Sequence, residues 1–210
     1  MKIGSMHLAF LLAAVFAMGG AAGFAQTDVA LSLYGAFTPA SNSSTIRQSP
    51  ANSAGGLFEI RHIAKPWVGY EGTYSFNRAN QSYVPLSYAC PVSGVLPCSA
   101  PLTASVKADA NEATADWIAS VKLANLRPFA LLGGGYVFNV PTGGQLASNK
   151  ADKVVYVYGA GLDWGVLPHI GLRIQYRGNL YKAPDLSQIY TSSGKFTQTA
   201  EPMIGLYFRL

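Results

Sequence analysis

The chain has 210 residues and a formal charge of +5, from 15 Lys and Arg against 10 Asp and Glu, with 12% charged and 50% hydrophobic residues. So mild a positive balance, scattered singly with no Lys/Arg run, argues against a nucleic-acid partner, and the length suits one main domain. Past residue 25 no apolar run approaches the ~20 residues that a spanning helix needs, so a membrane passage would have to be made of strands.

The N-terminus reads as an address. Lys2 precedes an apolar run over residues 8–18, followed by small residues and by Gly23, Phe24 and Ala25 in a small-x-small cleavage pattern. This predicts a secretory signal peptide over residues 1–25 and a mature domain over residues 26–210, with no Cys at the junction to accept a lipid.

From residue 26 the chain shows eight strand-length segments of period two, at 28–38, 55–63, 68–77, 111–123, 128–139, 154–164, 170–180 and 201–210. Polar connections over 39–53, 78–110, 140–153 and 181–194 alternate with tight turns. The first segment places Val29, Leu31, Leu33 and Phe37 on one face, and the third sets Tyr70, Tyr74 and Phe76 opposite Glu71, Thr73 and Ser75. In the last, Ile204, Leu206, Phe208 and Leu210 share a parity opposite Glu201 and Arg209. An oily final strand without a partner would be an exposed edge, which pairing back onto the first strand removes.

When the oily parity is taken as outward, Glu59, Arg61, Glu71, Glu112, Asp116, Lys122, Asp163, Arg173, Arg177, Glu201 and Arg209 all fall inward. A membrane barrel must show this, since a charge on the lipid face costs roughly 2–4 kcal/mol at the midplane. A soluble sandwich would use the same alternation in reverse, so parity alone does not choose. Aromatic residues near the segment ends favour the membrane: Tyr70, Phe129 and Trp164 toward the short turns, and Phe37, Phe76 and Tyr156 toward the long connections. Small inward residues, including Gly133 to Gly135, Gly159 and Gly161, suit a narrow lumen, with Tyr136 and Phe138 expected inside its outer mouth. The predicted fold is all-β: an eight-stranded antiparallel transmembrane up-and-down β-barrel with short periplasmic turns and long extracellular loops.

The stretches RPFALLGGGYVFN (residues 127–139) and YGAGLDWGVLPHIGLRIQYRGN (residues 158–179) resemble hairpins of the OmpA-type, porin-family outer-membrane β-barrel domains. An aromatic residue third from the end, Phe208, with apolar Leu210 last resembles their C-terminal assembly signal, although the usual last residue there is Phe. The resemblance covers essentially the mature chain and implies a Gram-negative outer membrane, with lipid bilayer, lipopolysaccharide and the barrel assembly machinery as partners, and a monomer. It also implies that Glu59, Arg61, Glu71, Asp116, Lys122, Asp163, Arg173, Arg177 and Glu201 form a network of paired charges in a nearly neutral lumen. The peptidoglycan-binding domain of larger relatives has no counterpart in the sequence.

Cys90 and Cys98, within CPVSGVLPC in the second long connection, are expected to form a disulfide in an oxidising compartment. No cofactor or metal is expected, because His62 and His169 belong at the opposite end from those thiols. No catalytic set is expected either: no His falls near the outer rim, and the Gly-rich run over residues 132–135 opens no helix, so it is not a phosphate loop. The expected function is structural or surface-interacting, through external loops that meet an unidentified ligand, with the lumen plugged. The alternatives are a narrow passive porin for small solutes and, third, a secreted soluble binding barrel.

Overall fold

In the computed structural model the described residues are 26–65, 67–86, 103–143 and 150–210. The expected signal peptide and the Cys90–Cys98 bridge lie outside them. Eleven strands form among the described residues: β1 (Gln26–Ala36), β2 (Ser41–Asn42), β3 (Ile46–Pro50), β4 (Ser53–Lys65), β5 (Val68–Arg78), β6 (Gln81–Pro85), β7 (Ala104–Ser120), β8 (Leu126–Gly143), β9 (Ala151–Gly165), β10 (Ile170–Lys182) and β11 (Phe196–Arg209).

Eight of these close a barrel. β1, β4, β5, β7, β8, β9, β10 and β11 each pair antiparallel with the next, and β11 returns to β1 with Asp28 opposite Arg209, Leu31 opposite Leu206 and Tyr34 opposite Met203. The oily terminal strand therefore has no free edge.

The pleat is filled inside out for water. Outward positions expose Leu33 at 70%, Trp117 at 68% and Leu206 at 62%, whereas inward Glu59, Arg61 and Arg173 are at 0%. Exposed apolar surface on this scale around a closed sheet needs a bilayer to cover it, and this decides against the soluble reading. Along β10 the outward residues Ile170, Leu172, Ile174, Tyr176, Gly178 and Leu180 carry no charge until Lys182. At ~3.3 Å per residue and a usual tilt of about 40°, that stretch rises roughly 25 Å, the height of a lipid-facing band.

In two of the expected polar connections the described residues are largely strand. β3 and β6 pair with each other, and β6 pairs with the outer half of β7, from Tyr83 opposite Ala104 to Gln81 opposite Val106. This sheet covers its own small core of Ile46, Tyr83, Ala104, Val106, Ala108, Ala151 and Leu186. The sequence conceals it because its inward positions alternate Ile46 with Gln48 and Tyr83 with Gln81, or are merely alanine, so no oily period stands out. β7 accordingly begins at Ala104 and not at residue 111, and it ends at Ser120.

Candidate functional site: the charged lumen

The inward positions of six strands converge on three guanidinium groups, all fully buried. Nearest the short-turn end, Arg61 of β4 donates from Nε to Glu71 Oε2 at 2.8 Å on the neighbouring β5 and from Nη1 to Asp163 Oδ2 at 3.2 Å on β9. Its plane lies over the Phe129 ring with Cζ 4.0 Å from the centroid, so the charge is capped by a π face. Arg173 of β10 grips both oxygens of Asp163, from Nε at 2.7 Å and Nη2 at 3.1 Å. Its remaining reach goes across the barrel, to Asp28 Oδ1 at 2.8 Å on β1 and to Glu59 Oε2 at 3.4 Å on β4.

One layer farther out, Arg177 donates from Nη2 to Thr114 Oγ1 at 3.0 Å and lies 3.3 Å from Asp116 Oδ2, both on β7. Glu71 at 3.7 Å and Glu112 at 3.8 Å complete its carboxylate ring. Asn179 then donates Nδ2 to both oxygens of Glu112, at 3.1 and 2.9 Å. Glycine makes room for these groups: a Cβ on Gly133 would strike the Asp116 carboxylate, and one on Gly171 would strike the Tyr207 ring.

Several expected placements need correction. Lys122 is exposed beyond the end of β7 and joins no ion pair among the described residues, because the strand stops at Ser120 before the alternation can carry it into the lumen. Glu201 is inside and buried, but no ion pair reaches it among the described residues. Tyr136 and Phe138 point outward, and Phe129 points inward beneath Arg61. β8 is apolar on both parities and carries no charge along its membrane stretch to set its phase, so the sequence offered no way to choose. The lumen also holds more acidic than basic side chains. Among the described residues seven buried carboxyl groups (Asp28, Glu59, Glu71, Glu112, Asp116, Asp163, Glu201) face Arg61, Arg173 and Arg177, with Arg127 at the short-turn end.

Asp28, Arg127 and Gln175 were not among the expected site residues. Asp28 shares the inward parity of β1, and the alternation marked by Leu31 and Leu33 could have found it. Arg127 lay one residue outside the expected segment and donates to Gln26 Oε1 at 2.9 Å. Gln175 accepts from Arg61 at 3.5 Å. His62 makes a 2.9 Å hydrogen bond with Thr27, and His169 lies 3.3 Å from the Arg209 carbonyl; both are at the short-turn end.

At the other end, the outer core is tied by polar contacts. Gln48 donates to the Pro184 carbonyl at 2.9 Å, and Tyr83 Oη accepts from the Leu186 backbone N–H at 3.2 Å. Burial pushes the Tyr83 phenol up to about 12, against the lowering effect of the Leu186 hydrogen bond.

A closed eight-stranded sheet with an oily exterior and a charged, cross-braced interior defines a transmembrane β-barrel of the bacterial outer-membrane kind. Two solved structures share this fold. Neisserial surface protein A is 13% identical with a TM-score of 0.57 over 90% of this chain and 100% of that one. The outer membrane protein OprG from Pseudomonas aeruginosa is 10% identical with a TM-score of 0.55 over 88% and 95%. The attachment invasion locus protein of Yersinia pestis, solved with the heparin analogue sucrose octasulfate, is 14% identical with a TM-score of 0.49 over 89% and 97%. No protein-family model matches the chain, and no curated protein matches it in sequence. The likeness is one of fold.

Proposed function

We propose that this chain is a plugged outer-membrane barrel whose work is done by its external loops, in a structural or surface-interacting role. The observation that carries the reading is the cross-bracing of the lumen: Arg61 joins β4 to β9, Arg173 joins β10 to β1 and β4, and Arg177 joins β10 to β5 and β7. Eight strands leave an interior that side chains can fill, and here long ones span it at two heights. The outer sheet, with its own core and its ties from Gln48 and Tyr83 to the last loop, supports a firm platform for contact with lipopolysaccharide or another surface ligand. β11, with Ile204, Leu206 and Phe208 outward and exposed Leu210 directly after it, is the strand we assign to recognition by the assembly machinery. The Cys90–Cys98 pair is proposed as a staple on the same outer side.

Conductance tests this reading. The purified barrel in planar bilayers is expected to give little or only rare, small conductance. Frequent stable openings whose ion preference changes when Glu71 or Arg173 is neutralised would replace it with the narrow-porin reading.

A further inference from the structure

The short-turn mouth holds a cavity of about 270 Å³, lined by Lys122, Asn125, Arg127, Asp163, Tyr207 and Arg209 among others. Its charge is lopsided. Asp163 is the one carboxylate in the lining, and both of its oxygens are already engaged by Arg173 while Arg61 takes Oδ2 as well. The three cations lack such partners: neither Lys122 nor Arg209 joins an ion pair among the described residues, and Arg127 has only the neutral amide oxygen of Gln26. Arg209 reaches the Tyr207 ring, with Cζ 5.9 Å from its centroid, but its Nε is buried without an acceptor.

Three cations, two flanking the β7–β8 turn and one at the C-terminal end of β11, are thus gathered around a space large enough for a small polyatomic ion. A burial-starved guanidinium N–H and a mobile ammonium are the donors that planar and tetrahedral oxyanions accept. Above the cavity the Arg61, Asp163 and Arg173 layer closes the lumen, so the space is a blind pocket. Arg127, Asp163 and Tyr207 line it from inward positions, so it opens to water at the lumen mouth and away from the lipid face.

We propose that this pocket is a binding site for a small water-borne oxyanion of the phosphate class, with Lys122, Arg127 and Arg209 as its ligating groups. Binding here would act at the mouth opposite the external loops and is independent of their role.

The test uses the full mature barrel refolded in maltoside micelles, which carry no phosphate, titrated with inorganic phosphate at constant ionic strength against chloride. Saturable binding is expected, with amide shifts confined to the neighbourhood of Asn125, Gly165 and Tyr207. Lys122→Gln and Arg209→Gln are each expected to weaken it about tenfold or more, and Lys150→Gln, at the other end, to leave it unchanged. Lys122 stands outside the strand ladder, so its variant tests the site without threatening closure. An absence of saturable binding up to tens of millimolar, on the scale of weak affinities, would overturn the proposal. Binding that Lys122→Gln and Arg209→Gln leave unaltered would overturn it equally.

Discussion

Arg173 bears more of the lumen than any other side chain, since it joins Asp163, Asp28 and Glu59 from three different strands. Removing one member of a buried charge set leaves the others uncompensated, at a cost of about 3–5 kcal/mol. Arg173→Ala is therefore expected to destabilise the barrel by that order, because the seven buried carboxyl groups already outnumber the guanidiniums. Lys150→Ala, on an exposed residue of the outer side, should change stability by less than ~0.5 kcal/mol. Urea unfolding in lipid vesicles, followed by tryptophan fluorescence, would measure both, and equal negligible effects would refute the network. The inward arginines and most carboxylates were legible in the sequence because each strand that carried a charge declared its own phase. Which carboxylate met which arginine was not legible, since the partners lie up to 145 residues apart and depend on the stagger of the closed sheet.

At the scale of the element, the β7–β8 hairpin combines a ladder as long as any in the barrel with a costly turn. Leu123 and Leu126 exchange both backbone hydrogen bonds, at 2.8 and 2.9 Å, around the two-residue loop Ala124 and Asn125. Ala124 has φ of 55°, where an L side chain is disfavoured and Gly is at ease. Ala124→Gly should raise stability by a few tenths to about 1 kcal/mol, the relief of strain being partly offset by the greater freedom of Gly in the unfolded chain. Refolding and unfolding midpoints in urea would show it, and a loss of stability would mean that the turn relies on the alanine methyl. The barrel strands were visible in outline from alternation. The outer strands β2, β3 and β6 were not, because inward Ile46 and Tyr83 alternate along their strands with inward Gln48 and Gln81, so no oily period stands out.

For the whole molecule, closure is the property from which the others follow. A ladder that returns from β11 to β1 offers no edge from which to fray, and its interior charges lock the wall from within. The unboiled protein is expected to migrate differently from the boiled protein in SDS gels, and identical mobility of properly refolded material would count against a closed barrel. The sequence by itself determined the alternation, the number of membrane strands and the sorting of long and short connections, because period two and turn chemistry are local and each strand states them independently. It determined the inward side wherever a charge stood in the strand. Only the tertiary structure decided that the oily face is the exposed one, since the same pattern serves a soluble sandwich turned the other way. The tertiary structure also set the phase of β8, left Lys122 at the mouth outside the buried charge network and built an outer sheet from segments that look like loops. Each of these depends on where a strand ends or on what packs across from it, and those are facts of closure and contact that no single stretch of residues contains.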